Sequence, residues 1–331
     1  MKNRVILIIV VLIMGIILTV TGCAGVSQTE EAYKLYVPNA GEGTVSVLDS
    51  LTRQTTATIN VGESVSHGLG VTPDNSLLFT GDLDGGNIYV VDTATDQIKN
   101  TISVGERVHG IDMSPDGNYV LVAAGRNSGP SLVVINVELQ EVVTVIQDDL
   151  VGPTHITFSP DGKRAYVADP EQSAVVVVDM VNLVTETVWQ TGAEGAQEAR
   201  TSPQGDLLYV ANYEGNMLTV LDTTDGQVLY SLPAGEETHA VDVSPDGQFV
   251  WVAASKTGEI IIFDVENEYS IVDTVTFGRP NHIKFHPAGN EVYITDTSSN
   301  SLTVLDSATY EKLAEIPLGQ SPHEISIVRG N

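Results

Sequence analysis

One ten-residue segment returns along this chain at a period that few folds can satisfy. "VHGIDMSPDG" at Val108–Gly117 reappears as "SHGLGVTPDN" at Ser66–Asn75, "PTHITFSPDG" at Pro153–Gly162, "THAVDVSPDG" at Thr238–Gly247 and "PNHIKFHPAG" at Pro280–Gly289. The turn prolines Pro73, Pro115, Pro160, Pro203, Pro245 and Pro287 stand 42, 45, 43, 42 and 42 residues apart. Strand-like content at this period marks a β-propeller, one four-stranded blade per repeat. In each unit an alternating first strand meets a Pro-Asp-Gly turn, where proline presets φ and glycine accepts positive φ. A second strand, a polar loop, a β-branched third strand and a fourth strand follow.

First strands are counted at "HGLGV", "HGIDM", "HITF", "EARTS", "HAVDV", "HIKFH" and, from His323 to Val328, "HEISIV". The seventh has nothing after it, whereas "KLYVPN", "TVSVLD" and "TTATINV" near the N-terminus have no first strand before them. The two halves predict one shared blade, with the C-terminal strand pairing along Lys34–Asn39. The expected fold is therefore all-β, a single closed seven-bladed propeller over residues 33–331.

Third strands end in Asp49, Asp92, Asp179, Asp222, Asp264 and Asp306, with Asn136 in the odd repeat. At a strand end these residues are expected to accept N–H groups of the following turn rather than to hold ligands.

The motifs "LYVPN", "AYVAD", "LYVAN" and "VYITD", each followed by a loop and a "VxVxD"-like strand, resemble the YVTN-type propeller repeat of prokaryotic surface and periplasmic proteins. The resemblance covers essentially all of the chain beyond the leader and implies the seven-bladed ring. It says little about function: the same ring serves adhesion-like surface proteins, lactonases, lyases and relatives such as the cytochrome d1 haem domain.

Lys2 and Arg4 precede an apolar run from Val5 to Val20, the anatomy of an export signal. "VTGC" at Val20–Cys23 resembles the lipobox of prokaryotic lipoproteins, which implies a signal peptide over 1–22, a lipid on Cys23 and a linker over 23–32. Either a lipid or an uncleaved apolar helix puts the rest of the chain outside the cytoplasmic membrane. Cys23 is the only cysteine, so disulfides and thiolate metal sites within the chain are excluded.

The chain carries 15 Lys and Arg against 43 Asp and Glu, a formal net charge of -28. Nucleic acid needs clustered basic residues and is not an expected partner. Anionic lipid is repelled too, which leaves the lipid or the apolar helix as the membrane link. The expected partners are proteins or small molecules at the cell surface, met by a monomer.

Six of the seven histidines recur at one place, where the chain enters a first strand: His67, His109, His155, His239, His282 and His323. The fourth repeat has Gln197 and Glu198 instead. First strands line a propeller's channel, so these side chains are expected around one mouth. Neutral imidazoles bind Cu, Zn or Fe, and the acidic surface admits Ca. His155 and His282 stand five residues before the turn proline and His67, His109 and His239 six, so strand alternation points them differently. A mouth on the order of 10 Å wide keeps distant blades from sharing one ion. The first reading of these histidines is structural, each bonding neighbouring backbone where the chain enters the first strand; if the mouth holds a metal, it is expected near His67, His109 and His323, with Asp82 as the nearest oxygen ligand, while His155, Glu198, His239 and His282 line the rest. Asp82, Asp169, Asn212 and Asp296, at second-strand ends, flank the same face. Asp112, Arg200, Asp242 and Lys284, three before the proline, are expected to compensate one another inside the channel.

No nucleophile elbow, zinc-protease motif or phosphate loop occurs, and no catalytic residue is assigned. The first reading is a non-enzymatic binding or scaffold module needing no cofactor, displayed at the cell surface. A metal- or haem-binding redox propeller using the histidine mouth is the second, and a lactonase- or lyase-like enzyme the third.

Overall fold

The structure, a computed structural model, describes residues 31–126 and 129–330. The expected signal segment, Cys23 and the linker as far as Glu30 lie outside the described residues. Among the described residues, 28 strands form seven four-stranded antiparallel sheets, with one short 3-10 turn at Pro170–Gln172. No helix among them is long and apolar enough to cross a membrane.

Burial within a blade follows the sequence pattern. The third strand Ala174–Asp179, a near-continuous valine run, is buried from Ala174 to Val178, because neighbouring blades cover both of its faces. The fourth strand Val184–Gln190 alternates polar residues outward and buries Trp189 alone. The first strands are therefore innermost and the fourth outermost.

The six blades that begin at the complete repeats are numbered 1 to 6 in chain order. The remaining sheet is the closing blade. Its inner strand is Ser326–Arg329, and its second, third and fourth are Tyr33–Asn39, Thr44–Asp49 and Gln54–Asn60. The C-terminal strand runs antiparallel to the first one, with Tyr33 opposite Arg329, Lys34 opposite Val328, Leu35 opposite Ile327 and Tyr36 opposite Ser326. An Asn39–Pro322 bridge and a bond from His323 N–H to the Pro38 carbonyl carry the closure to the far end of the blade.

The core is annular. Seven apolar clusters are present among the described residues, and each joins two adjacent blades. One of them packs Leu35, Val37 and Ile325 of the closing blade on Tyr293, Leu302 and Val304 of blade 6.

All seven third-strand termini cap their own turns. Asp49 accepts from Thr52 N–H, Asp92 from Thr95, Asn136 from Leu139, Asp179 from Asn182, Asp222 from Thr224, Asp264 from Asn267 and Asp306 from Thr309. On the face away from the histidines, turn glycines seat on the preceding blade. Gly117 has φ of 73°, and a Cβ there would come within 2.8 Å of Pro73. Gly205 repeats the relation with Pro160.

Candidate metal centre

The inner strands are short or irregular where the histidines stand. Pairing with the second strand slips between Val108 and Ile111, between Ala196 and Glu198, between Thr238 and Ala240, and between Pro280 and Ile283. Each slip takes His109, Gln197, His239 or His282 out of the ladder and resets the alternation that the sequence reading relied on. Gly68 and Gly110, which follow His67 and His109, let neighbouring inner strands touch. A Cβ on Gly68 would lie 2.2 Å from Ile111 N, and one on Gly110 would lie 2.0 Å from the Thr154 carbonyl oxygen. His67 N–H donates to the His109 carbonyl across that contact.

The six imidazoles form one contiguous set. Ring centroids are 3.8 Å apart for His67 and His323, 4.4 Å for His67 and His109, 5.4 Å for His109 and His155, 5.2 Å for His155 and His282, and 5.1 Å for His239 and His282. His155 of blade 3 and His282 of blade 6 meet across the channel, Nε2 to Nε2 at 3.3 Å. The expected separation of distant blades is thus corrected. Imidazoles pointing inward from opposite sides span the mouth, and the slip between Pro280 and Ile283 falls at His282.

His155, with a ring pKa of about 3, and His239, with one of about 4, are held neutral first by burial, with neighbouring imidazoles or arginines adding repulsion. Burial and mutual repulsion also push His67, His109, His282 and His323 well below the ordinary range. Two tautomers are fixed by backbone. His155 Nδ1 lies 3.0 Å from the Gln197 carbonyl oxygen and His239 Nδ1 lies 3.1 Å from that of Asn281. A carbonyl only accepts, so in each neutral ring Nδ1 carries the hydrogen and Nε2 is left as a bare lone pair. This is the outer-shell arrangement that orients metal-binding histidines. These carbonyls escaped the sequence reading, because backbone acceptors leave no residue signature. Their place, at the second residue of the next blade's inner strand, is the signal that was there to find.

The structure brings His67, His109 and His155 together, with ligand atoms within 4.8 Å of one another. His323 lies flat on His67, the planes 10° apart. Asp82 accepts from Asp84 and Gly85 N–H in its own turn. Asp169 binds Val151 and Gly152 N–H, Asp296 binds Gly278 and Arg279 N–H, and the Asn212 amide spans to Thr219. These second-strand ends hold loops in place.

Below the imidazoles lies a charged layer. Arg200 Nη2 is 2.6 Å from Glu198 Oε1 and 2.7 Å from Glu324 Oε1. Asp242 accepts from Phe285 N–H of the next blade. Glu324, directly after His323, was not singled out from sequence. Burial pushes the Glu198 carboxyl up to about 8 and the Asp112 carboxyl up to about 7, with Arg200 opposing both, and raises Glu324 as well. Glu198 Oε2 has no hydrogen-bond partner although the side chain is only 1% exposed, and it lies 3.8 Å from His282 Nε2. His282 Nδ1 and His323 Nδ1 are likewise buried without partners. Unsatisfied nitrogen and oxygen atoms around converging lone pairs are a donor set that fits a transition-metal ion. A cleft between blades 3 and 4 on the turn face, about 450 Å³, offers less, because its Arg164 is already bound to Glu186 and the Thr223 carbonyl.

Several solved structures share this fold. Hydrazine synthase of Kuenenia stuttgartiensis superposes with a TM-score of 0.70 at 19% identity, covering 80% of this chain and 95% of that one. A functionally unknown protein from Desulfotomaculum acetoxidans DSM 771 gives 0.78 at 14%, covering 90% and 99%. Dihydro-heme d1 dehydrogenase NirN in complex with DHE gives 0.68 at 15%, covering 88% and 74%. At such identities the likeness is one of architecture. No curated protein matches the chain in sequence. The family model of the YNCE-like beta-propeller matches residues 7–329, nearly the whole chain, and the protein belongs to that family.

Proposed function

We propose that this protein is an extracytoplasmic, lipid-anchored propeller that binds a transition-metal ion through the imidazoles at its mouth. One observation carries the reading: six neutral imidazoles converge, and backbone carbonyls hold His155 and His239 in the tautomer whose Nε2 is a lone pair. Neighbouring rings around the mouth stand 3.8 to 6.3 Å apart, which favours an ion over a flat macrocycle such as haem. The metal reading gives the expected surface binding module its ligand.

Protein prepared without a polyhistidine tag is expected to take up Zn²⁺ or Cu²⁺ stoichiometrically in metal analysis and calorimetry. The double variant His155→Ala/His282→Ala is expected to weaken uptake at least about a hundredfold, as losing two ligands requires. A flat titration of the parent with both ions would refute the reading.

Anchoring rests on the residues around Cys23. Intact-mass measurement is expected to find an N-terminus beginning at acylated Cys23, and Cys23→Ser is expected to abolish both lipid and cleavage. A chain that retains Met1 and an unmodified Cys23 contradicts the lipid anchor.

A further inference from the structure

We infer that the ion sits across the mouth between His155 and His282, with Glu198 of the histidine-free blade 4 as its oxygen ligand. This deepens the metal reading above and rests on it.

Distances separate the possible seats. Two donors on one ion of bond length about 2.0–2.1 Å stand about 3.3 Å apart in a tetrahedron and never more than about 4.2 Å. His155 Nε2 and His282 Nε2 are 3.3 Å apart, and Glu198 Oε2 is 3.8 Å from His282 Nε2, too far for a hydrogen bond. The His67, His109 and His155 donors spread over as much as 4.8 Å and would have to contract. Stacked parallel rings keep their in-plane lone pairs in two separate, nearly parallel planes, so His67 and His323 do not converge on one ion.

Blade 4 supplies both parts of the seat that are not histidine. The Gln197 carbonyl fixes the His155 tautomer, and the next residue presents the carboxylate. Arg200 holds Glu198 through Oε1 and leaves Oε2 buried and unpartnered, facing His282. Without metal, the 3.3 Å contact is a hydrogen bond from His282 Nε2–H to the bare His155 Nε2. His282 Nδ1 is buried without a partner, so it can take up the proton when an ion replaces that hydrogen bond, and Nε2 then offers its lone pair to the ion.

Two neutral nitrogens and one carboxylate oxygen suit a borderline divalent cation such as Zn²⁺, Co²⁺ or Fe²⁺ rather than soft Cu⁺. Three protein ligands leave a position open for an exogenous ligand.

Metal-free protein titrated with Co²⁺ and followed by visible absorption and by competition with Zn²⁺ tests the seat. Glu198→Gln, which keeps a carbonyl oxygen for Arg200, is expected to lower Co²⁺ affinity at least about tenfold and to change the absorption bands. Glu324→Gln removes a carboxylate from the same arginine and is expected to leave the bands unchanged. If Glu198→Gln does not fold, judged by circular dichroism, His282→Ala carries the test with the same expected loss. Parental bands and affinity in Glu198→Gln, or an equal effect of Glu324→Gln, would overturn the seat while the metal reading stands. A parent that binds none of Co²⁺, Zn²⁺ or Cu²⁺ brings down the metal reading and the seat with it.

Discussion

The imidazoles at the mouth and the carboxyls beneath them respond to pH in opposite senses. His155 and His239, with folded pKa values of about 3 and 4, are neutral in the fold but charge near pH 6.5 once unfolded. Their contribution is complete above pH 6.5 and drains away as pH falls toward 4. Glu198 and Asp112, held up to about 8 and 7, stay protonated in the fold and ionise near pH 4 when unfolded. Their contribution is complete below about pH 4 and drains as pH rises through 7 to 8. Between pH 4 and 6.5 the six depressed histidines outnumber the raised carboxyls, so stability rises with pH. Above about pH 7.5 the unfolded histidines are neutral too, only the carboxyls still titrate, and it falls. Metal-free protein is expected to be most stable near pH 7, with a loss on the order of 1 kcal/mol by pH 8.5 in denaturant titrations. Stability that keeps rising to pH 8.5 would contradict the protonated carboxyls. The histidine enrichment was legible from the repeat, and so was the absence at Gln197 and Glu198. The meeting of His155 with His282 was not, because a one-residue bulge has no composition of its own and inverts the direction that alternation assigns.

Among the elements, the C-terminal inner strand carries the most consequence for its length. It contributes Ile325 and Val328, each 2% exposed, to the clusters on either side of the closing blade, and it covers the inner edge of Tyr33–Asn39. Deleting residues 323–331 is expected to cost at least about 4 kcal/mol from those two aliphatic side chains alone, and to expose an unpaired edge that promotes association. A lowered melting temperature together with oligomers in size-exclusion chromatography checks this. A truncated chain that melts with the parent would mean that the closure contributes nothing. This element was readable from sequence because a first strand with no successors and three strands with no predecessor leave one arrangement. The third-strand aspartates were readable for a similar reason: Asp49 and its counterparts precede turn sequences whose free N–H groups need an acceptor.

At the scale of the molecule, the repeat period fixed blade number, and blade number fixed an annular core, since each sheet can cover its faces only with the two beside it. What the repeat left open is what fills the centre. Side chains that differ from blade to blade decide that, and their meeting depends on reach across the channel rather than on position within a repeat. The order in which the chain is made adds a constraint of another kind. Synthesis produces Tyr33–Asn39 first and Ser326–Arg329 last, so the partner of the earliest strand arrives when every other blade already exists. Until then the ring is an open arc, and Arg200 lacks Glu324 and His67 lacks the ring that stacks upon it. The last segment made therefore completes the mouth, and a chain cut short before His323 lacks both the ring stacked on His67 and the second carboxylate on Arg200.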